Sequence, residues 1–529
     1  MTSAPSPRPW WRVQWDAVVE AWSVRIVRRG LIGTALITLG ALSPAYLPRN
    51  SALWHIQDKV GGWPSQLGGT LVTMLGLVLL LDAWLRLRPR SGAVAGEVHA
   101  YLHVRHWAVL LIWGLPFFFA PPIFSHDAYS YAAQGWMVHN GINPYEVGPA
   151  VLPGAFADQV SWVWRDTPAP YGPLALQLQH MIVDLSGFRP YASAVMMRLL
   201  ALFGVGIIGL LVPRIAERRG ADVAKAAWFA TLNPILIIDF IGGAHNDCLM
   251  MAFVIAGLWA TGLPKRPITM RGRSFNPHRW GSLWWIPGAV LVGLGAAIKQ
   301  PAFMAAYALP LVVHPWLSWR IKEVAVVILR SVISIAVSIG TFVVVSMATG
   351  LGFGWLNAVN VPGKVITIAP FTVLGQGAQL VLNHFGADPT GWAAITAART
   401  FGVVFAAVVV ALMAVTVARR HPMRFLSIGY LVAALSLPAV RSWYILWGGL
   451  LLPLTNPSRR MYQIATWVTI VLLCYNGINM AWRNNVMALG IAAAAGLWWL
   501  TSVHLRSSRR RRVGRELPES LFDDMEGKR

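Results

Sequence analysis

Apolar segments long enough to cross a lipid bilayer recur along almost the whole chain, from Leu31 to Val503. A membrane-spanning helix needs about 17–25 predominantly apolar residues. Backbone groups inside lipid must find their hydrogen-bond partners within the protein, so only helices and closed β-barrels are possible. The segments are continuous rather than alternating in polarity, which favours helices over barrel strands. The sequence therefore predicts an all-α, polytopic integral membrane protein.

The composition agrees with a membrane-embedded body. Of the 529 residues, 56% are hydrophobic and 12% are charged, whereas about 25% of a soluble domain is charged. We predict a single transmembrane domain over 1–529. The first apolar segment has no small-residue cleavage site before Pro44, so we interpret it as a retained helix. Cys248 and Cys474 form no spacing motif and predict neither a disulfide nor a metal site.

The hydropathy pattern predicts about fourteen crossings. We place them at 31–48, 67–86, 107–124, 191–213, 223–241, 247–263, 282–299, 302–317, 324–349, 393–417, 424–440, 443–455, 461–480 and 485–503. The short pair of segments on either side of Lys299 is also consistent with broken or re-entrant helices.

The basic residues predict the orientation. The net charge of +23 gathers in alternate connections between the apolar segments, as the positive-inside rule requires, which argues against nucleic acid as the partner. Arg25, Arg28 and Arg29 precede the first crossing, so we expect both termini in the cytoplasm and the chain in the plasma membrane. The tail over 504–529 contains Arg509 to Arg512, which would face anionic lipid headgroups at the cytoplasmic surface.

Two predicted outward connections are unusually long, at about 125–190 and 351–391. Connections longer than about 12–15 residues are usually functional. The first contains a turn signal at 141–145 and an apolar stretch from Leu174 to Val183. We interpret that stretch as a helix lying in the membrane interface.

Five polar motifs fall on the outward side of this topology, each at a helix end or in an outward loop, while the cytoplasmic connections carry only basic residues. Their placement on one side predicts a functional site on the extracytoplasmic face. The motifs are His126-Asp127, Pro170-Tyr171-Gly172-Pro173, Gly243-Ala244-His245-Asn246-Asp247, Lys299-Gln300-Pro301 and Arg441-Ser442-Trp443-Tyr444.

Asp127 is the candidate catalytic residue. A carboxylate within hydrogen-bond reach of an attacking hydroxyl can accept its proton, and a neutral His126 could orient Asp127 or bind substrate. Tyr129 and Tyr131 could stack on a sugar ring. The alternatives are a solvated loop acid and two tyrosines of the membrane-interface belt.

His245, Asn246 and Asp247 end one predicted crossing and open the next. Their side chains could hydrogen-bond sugar hydroxyls, or they could simply cap a helix. Together with His126 and Asp127 they include metal-ligand types. Their spacing matches no ligand pattern, so we predict no metal and no cofactor.

Lys299 ends a long apolar segment on the charge-poor side and stands beside Gln300 and Pro301. A cation at membrane depth is costly and indicates a function, here suited to a lipid-linked phosphate. The alternative is a lysine whose ammonium reaches the interface. Arg441 is a second such cation, with Trp443 and Tyr444 beside it, and could equally be an interfacial anchor.

Several of these motifs carry a resemblance to a known family. In their order and spacing over about residues 30–500, they are similar to the actinobacterial polyprenol-phosphate-mannose-dependent α-(1→6)-mannosyltransferases, of the mannopyranosyltransferase A and B type within the C-type glycosyltransferase superfamily. The matching strings are Ser125 to Gly135, Asn143-Pro144-Tyr145, Thr167 to Leu174, Gly242 to Asp247 and Ile298 to Ala302.

The resemblance implies a multi-helix membrane fold whose active site faces away from the cytoplasm. It implies polyprenyl-phosphate-mannose as the lipid-linked donor and an α-(1→6)-mannan glycolipid as the acceptor, in lipomannan and lipoarabinomannan assembly. The acid of the first long outward loop in that family corresponds to Asp127.

On this basis we predict an inverting mannosyl transfer. Asp127 would accept the proton of the acceptor hydroxyl, while Lys299 and Arg441 would stabilise the leaving phosphate. The side chains expected to bind the sugars are Tyr129, Tyr131, Tyr171, Trp443 and Tyr444.

Two other functions remain open at this point. A transporter or flippase for a lipid-linked sugar would place its site near the bilayer midplane, often between inverted repeats, and no repeat is visible. A related C-type transferase acting on another sugar would keep the mechanism and change the pocket.

Overall fold

The computed structural model describes residues 9–42, 47–48, 51, 62–89, 104–262, 268–270, 273–275, 283–358, 367–387 and 391–482, with 490, 494 and 496. The last predicted crossing, 485–503, lies outside the described residues apart from those three positions. The basic tail, 504–529, lies outside them entirely.

Helices form most of the described chain. The N-terminal half contains α1 Trp10–Ser23, α2 Arg25–Gly40, α3 Gly62–Arg86, α4 His106–Gly114, α5 Asp127–His139, α6 Trp162–Arg165, α7 Pro173–Leu185, α8 Pro190–Met196, α9 Arg198–Arg218, α10 Val223–Ala226 and α11 Asp247–Thr261. The C-terminal half contains α12 Trp285–Ala296, α13 Phe303–Val313, α14 Ile321–Ala348, α15 Pro370–His384, α16 Ala393–Thr416, α17 Pro422–Ser436, α18 Ile445–Gly449 and α19 Arg459–Trp482.

Shorter segments connect these helices. Two π-helical segments follow α10, at Ala227–Thr231 and Leu236–Gly242. Short 3₁₀ turns lie at Leu115–Phe119, Pro149–Val151, Ala157–Gln159, Gln300–Ala302, Gly354–Ala358, Ser442–Tyr444 and Leu452–Thr455.

One antiparallel hairpin departs from the all-α prediction. Strand β1 Ile268–Met270 pairs with β2 Arg273–Phe275, with Thr269 opposite Ser274. The hairpin lies in a connection predicted to be cytoplasmic, where water can satisfy the outer edges of two short strands. It leaves the helical body unchanged.

Five stretches of helix are long and apolar enough to cross a membrane, and each coincides with a predicted crossing. They are Leu67–Arg86, Pro190–Arg218, Ile321–Ala348, Ala393–Thr416 and Arg459–Asn479. These helices establish a helical membrane protein.

The other predicted crossings are shorter or broken. The apolar helices His106–Phe119, Asp247–Thr261, Trp285–Ala296, Gln300–Val313 and Pro422–Ser436 have 10–17 residues. At about 1.5 Å per residue they span less than the hydrocarbon core of about 30 Å. Over 31–48 the helix is α2, which ends earlier at Gly40, and 443–455 is divided among Ser442–Tyr444, α18 and Leu452–Thr455.

Proline explains two of the breaks. The segments Val223–Thr231 and Leu236–Gly242 meet at a bend of 48°, next to Pro234, which has no backbone N–H to donate. The side chain of Asn233 accepts a hydrogen bond from the Ile235 N–H at 2.9 Å and stabilises the turn. The second break is at Lys299, whose backbone is extended between α12 and the 3₁₀ turn that contains Pro301. This confirms the predicted interruption.

Small polar residues pack the long helix α14 against its neighbours. Ser334 Oγ donates to the Ala306 carbonyl at 2.6 Å, and Ser338 Oγ donates to the Ala289 carbonyl at 2.8 Å. Helices in lipid gain little from the hydrophobic effect, so close backbone approach and hydrogen bonds hold them together. The opposite face of α14 stays exposed, as at Val344 and Met347.

The first long outward connection is largely helical. The apolar stretch predicted as an interfacial helix is α7, which begins at Pro173, a favoured first position of a helix. Asp127, placed in a loop by the sequence interpretation, is instead the first residue of α5. The turn predicted at 141–145 is present, with Gly141 in the left-handed region at φ +71°.

Candidate active site

A cavity of about 430 Å³ lies where the broken elements meet, and its size is typical of a small-molecule site. Nine of the thirteen residues predicted to form the site line it. They are Asp127, Tyr131, Tyr171, Asp247, Lys299, Gln300, Arg441, Trp443 and Tyr444. The motifs singled out in the sequence therefore supply much of the cavity lining, although these residues lie up to about 320 positions apart in the chain.

A buried arginine joins two of the chain segments at this cavity. Arg198 donates from Nη2 to the carbonyls of Pro121 at 2.8 Å and Gly242 at 3.0 Å, and from Nε to that of Ile241 at 3.2 Å. The Ile123 N–H also donates to the Gly242 carbonyl at 3.2 Å. These bonds hold the segment that leads to Asp127 against the turn that leads to His245.

A third segment docks on the break at Lys299. The Gly172 N–H donates to the Ile298 carbonyl at 3.0 Å, and the Leu174 N–H donates to the Ala297 carbonyl at 2.9 Å. A Cβ at Gly172 would collide with the backbone of Ala297, so the motif requires glycine at this point. The contact places Tyr171 beside Gln300, which donates to the Pro170 carbonyl at 3.4 Å.

Two non-glycine residues adopt left-handed backbone conformations immediately before site residues. Phe124 has φ +57° and precedes Ser125-His126-Asp127, and Ala244 has φ +57° and precedes His245. Such conformations are uncommon outside glycine and concentrate at functional sites, where the surrounding structure must hold them. Both lie within the segments that Arg198 fastens.

Asp127 and His245 face each other at the cavity wall. His245 Nδ1 lies 3.6 Å from Asp127 Oδ2, which is beyond hydrogen-bond distance. The ring of His245 is fully buried and stacks on Trp443, with 3.5 Å between centroids and 17° between planes. One fifth of the Asp127 side chain remains exposed, so one carboxylate edge is available to a ligand.

Burial and nearby cations set the ionisation of this pair. Burial raises the pKa of the Asp127 carboxyl above its usual value, while the positive charges of Arg441 and Lys299 and the contact with Ser125 oppose that rise. Burial and the same two cations hold the pKa of His245 well below its usual range. A neutral imidazole beside a carboxyl of raised pKa suits an acid–base site.

Lys299 is paired rather than free. Its Nζ lies 2.9 Å from Asp247 Oδ1 and 3.0 Å from Oδ2, and Trp447 Nε1 donates to Asp247 Oδ1 at 2.7 Å. The ammonium also lies 4.4 Å from the Tyr444 ring centroid and 5.4 Å from that of Trp447, within cation–π range. Asp247 therefore neutralises much of the charge that we predicted would meet a phosphate.

Arg441 keeps its charge available. Within the part of the chain that the structure describes, its guanidinium makes no ion pair with an acidic side chain, and the residue is exposed. It lines the main cavity and also a smaller adjoining one of about 70 Å³. Of the two predicted cations, Arg441 is the one placed to attract an anionic group.

Aromatic rings complete the walls. Tyr131 packs edge-on against Tyr171 at 5.1 Å, and the Tyr145 hydroxyl donates to the Tyr171 carbonyl at 2.8 Å, which fixes that loop. Trp443 and Tyr444 lie on the 3₁₀ turn Ser442–Tyr444. Flat rings of this kind offer apolar faces, and Tyr and Trp also offer hydrogen-bonding edges.

Four predicted site residues lie outside the lining of the cavity. His126 caps the start of α5, where its carbonyl accepts from the Tyr129 N–H at 3.0 Å. Tyr129 is buried in the hydrophobic core. Asn246 precedes α11, and its carbonyl accepts from the Leu249 N–H at 3.1 Å. His245 lies behind Trp443, and therefore reaches the cavity only through Asp127 and Trp443.

Several residues of the site were missing from the sequence-based prediction. Trp447, Trp164 and Trp355 line the cavity, and Arg198 organises its edge. Trp447 stands three positions after Tyr444, a spacing that places two side chains on one face of a helix. Arg198 is a cation within the predicted crossing 191–213, and its carbonyl partners became evident only in the fold.

The metal-ligand residue types at the cavity do not converge on one point. Asp247 faces Lys299 and Trp447, while Asp127 faces His245. Among the described residues, three potential ligands do converge at His139, His180 and Asp184, which do not line the cavity.

Known proteins resemble this chain over most of its length. A family model described as "Alpha-(1->6)-mannopyranosyltransferase, N-terminal domain" matches residues 27–318. A probable alpha-(1->6)-mannopyranosyltransferase of Mycolicibacterium smegmatis is 31% identical over 521 residues, covering 92% of this chain and 90% of the relative. Alpha-(1->6)-mannopyranosyltransferase A of Mycobacterium tuberculosis is 30% identical, covering 93% and 92%.

A more divergent relative is alpha-(1->6)-mannopyranosyltransferase B of Corynebacterium glutamicum, which is 26% identical and covers 84% of this chain and 74% of its own length. No solved structure matches the chain significantly.

Proposed function

The chain belongs to the alpha-(1→6)-mannopyranosyltransferase family of glycosyltransferases, and from that premise we propose that it transfers mannose from polyprenyl-phosphate-mannose to an α-(1→6)-mannan acceptor with inversion at the anomeric carbon. The process it serves would be lipomannan and lipoarabinomannan assembly. The observation that carries this proposal is the cavity of about 430 Å³, in which Asp127, Arg441 and a set of aromatic rings converge.

Asp127 acts as the general base. It accepts the proton of the acceptor's primary hydroxyl as that oxygen attacks C1 of the donor mannose. The bond between C1 and the phosphate oxygen breaks, and polyprenyl phosphate leaves with the electron pair. One displacement converts a β-linked mannosyl phosphate into an α-linked product. The raised pKa of the buried carboxyl makes Asp127 a stronger base than a solvated aspartate.

Arg441 stabilises the leaving phosphate, whose negative charge grows as the bond breaks. Lys299 contributes less to this step than the sequence predicted, because Asp247 already balances its charge. The Lys299–Asp247 pair instead fixes one wall of the cavity. The leaving group carries a single phosphate, so the reaction requires no metal ion and no cofactor at this cavity.

The aromatic residues bind the two sugars. Tyr131 and Tyr171 pack edge-on against each other, while Tyr444 lies beside Lys299 and Trp443 stacks on His245. We assign the acceptor to the first pair, and the donor mannose to Trp443 and Tyr444, which follow Arg441 in the chain. Gln300, beside Pro170, would hydrogen-bond a sugar hydroxyl.

The proposed orientation in the membrane is the one that the hydropathy and the basic residues of the sequence predict. The site would face the extracytoplasmic side of the plasma membrane, with both termini in the cytoplasm and about fourteen crossings in a C-type glycosyltransferase fold. The five long apolar helices support a membrane-spanning body, and the alternating basic connections support its orientation. The prenyl tail of the donor would lie in a groove between helices that is open to lipid.

Purified protein tests the proposal directly. It is supplied with radiolabelled polyprenyl-phosphate-mannose and a short α-(1→6)-mannoside, with and without EDTA. We expect an extended labelled product that an α-1,6-mannosidase degrades, at equal rates in both samples. Folded protein that gives no product with this donor but consumes another lipid-linked sugar would overturn the assignment of mannose, and a folded protein that forms no glycosidic bond with any such donor would indicate a transporter.

A further inference from the structure

Two histidines and one aspartate converge at a second place in the molecule, separate from the cavity. His139 is the last residue of α5, and His180 and Asp184 lie one turn apart on α7. The three side chains are 34%, 28% and 46% exposed. They line neither described cavity and have no part in the proposed transfer.

The donor atoms already stand close to the spacing of a metal site. His139 Nδ1 lies 3.0 Å from Asp184 Oδ1, and His180 Nε2 lies 3.3 Å from Asp184 Oδ2. One atom from each of the three residues lies within 4.8 Å of the others. Ligands at about 2.0–2.1 Å from a tetrahedral zinc ion are about 3.3 Å apart. Small side-chain rotations would therefore bring all three atoms onto one ion.

Aromatic packing orients the first histidine. The His139 ring stacks on Trp136, with 5.2 Å between centroids and 13° between planes, and Phe188 lies 4.5 Å away. Trp136 is itself held in place by Phe156, which stacks on it with 5.1 Å between ring centroids. A ring held in this way loses little rotational freedom when its nitrogen binds a ligand, which favours binding. A solvated histidine on an ordinary helix end has no comparable support.

We propose that His139, His180 and Asp184 bind a divalent zinc ion. Two imidazole nitrogens and one carboxylate are a common zinc donor set, and their partial exposure leaves a fourth position for water. The alternative is a pair of exposed His–Asp ion pairs, which would respond to protons but not to zinc. This site is independent of the proposed transferase mechanism, since no atom of it touches the reacting groups.

The position suggests what such an ion does. The same two helices reach the cavity at their other ends, because Asp127 begins α5 and Tyr171 lies just before α7. The two N-terminal ends meet where Tyr131 packs on Tyr171, and Gly135 packs closely on the backbone of Gln179 between the two sites. His139 is twelve positions from Asp127, or about 18 Å along the helix. A zinc ion would fasten the far ends of the helices that place Asp127 and Tyr171.

Cobalt and zinc titrations of the full chain test this proposal. Purified protein in detergent, stripped of metal, is titrated with Co²⁺, and bound Co²⁺ is then displaced with Zn²⁺. We expect one ion per chain, visible absorption typical of tetrahedral Co²⁺, and a higher melting temperature with zinc. His180→Gln and, separately, Asp184→Asn should each weaken zinc binding at least roughly tenfold and abolish the zinc-dependent rise in melting temperature.

His384→Gln is the matched control, since His384 is an exposed histidine at the end of another helix. It should bind zinc as the wild type does. Absence of stoichiometric binding to folded wild-type protein would overturn the proposal. Equal loss of binding in the His180→Gln and His384→Gln variants would overturn it too, because binding would then be spread over surface histidines.

Discussion

Two regions of this protein are built in opposite ways. The cavity is surrounded by short or interrupted elements, namely the starts of α5 and α11, the break between α12 and α13, and the 3₁₀ turn at Ser442–Tyr444. The helices α14 and α16, by contrast, run for 28 and 24 residues without interruption. The interrupted region carries buried charges, and much of the surface of the long helices is exposed and apolar.

The difference shows where a membrane protein can keep polar chemistry. An interrupted helix exposes backbone groups and turns side chains toward one another, which is tolerated only where protein or a water-filled cavity surrounds it. At the cavity these groups find partners, such as Asp247 with Lys299 and Trp447. The long helices α14 and α16 satisfy their backbone hydrogen bonds internally, so they can face lipid. We call these long helices the frame. Substitutions should therefore have large effects at the breaks and small effects on the frame.

Asp127→Asn should give the largest effect, because the amide keeps the size of the side chain and cannot accept the proton. We expect kcat to fall by roughly 10²–10⁴-fold, the usual contribution of a general base, with an unchanged melting temperature. The measurement is initial-rate transfer from labelled donor. Asp158→Asn is the control, since Asp158 is an exposed acid in the same outward region, and it should retain wild-type activity. Equal activity in the two variants would contradict the role of Asp127.

Arg441→Gln should be the next most severe change. The loss of a cation aimed at a developing phosphate charge is expected to lower kcat by roughly 10²–10³-fold. Arg198→Gln provides the contrast, because Arg198 holds backbone carbonyls and should act through stability. Initial rates and melting temperatures of both variants distinguish the two roles. If Arg441→Gln stayed fully active, Arg441 would not bind the leaving phosphate, and Lys299 would be the remaining cation of the cavity to do so.

Variants of Lys299 and Asp247 test how much their ion pair stabilises the interrupted region. Lys299→Met or Asp247→Asn alone leaves the partner poorly compensated in a buried site, and should lower the free energy of unfolding by about 3–5 kcal/mol. The double variant Lys299→Met/Asp247→Asn should recover much of that loss, because neither charge is then left without its partner. A double-mutant cycle measured by denaturant titration in detergent gives the coupling. Strictly additive losses would show that the two charges do not depend on each other.

Val344→Ala on the exposed face of α14 should give the smallest effect. Val344 is 66% exposed, and in the membrane its methyl groups contact lipid in both folded and separated helices, so little is lost. We expect a change in unfolding free energy within about 0.5 kcal/mol and full transfer activity. Ser338→Val, on the opposite face, removes the hydrogen bond to the Ala289 carbonyl and should destabilise more. The reverse ranking would contradict the lipid-facing assignment of this surface.

Continuous hydropathy was enough to predict the frame, because a long apolar helix depends mainly on its own sequence. The predicted segments 67–86, 324–349 and 393–417 agree with the observed helices within a few residues. The predictions were poorer where tertiary contacts decide the local structure. Asp127 begins a buried helix rather than standing in a loop, and 443–455 is three short pieces. Hydropathy alone cannot distinguish a crossing from a buried short helix.

The candidate site was predictable from charges placed where charge is expensive. Lys299 and Arg441 stood out for that reason, and Asp127 stood out as the acid of an outward polar motif. All three line the cavity. The pairing of Lys299 with Asp247 was not predictable, because it joins positions 52 residues apart across a helix break. Tyr129 and Tyr131 are two positions apart on α5, and residues at that spacing do not share a face of a helix. Tyr131 therefore reaches the cavity, while Tyr129 packs in the hydrophobic core. The convergence of His139, His180 and Asp184 also required the packing of α5 on α7.

The pH dependence of transfer in wild type and Arg441→Gln tests whether Asp127 is the general base beside Arg441. Transfer needs Asp127 ionised, so activity is lost as the pH falls through the raised pKa of its carboxyl. The charge of Arg441 opposes that rise, and its removal should raise the pKa of Asp127 further. The acidic limb of kcat/KM should therefore move to higher pH in the variant. An acidic limb at the same pH in both proteins would contradict Asp127 as the base beside Arg441.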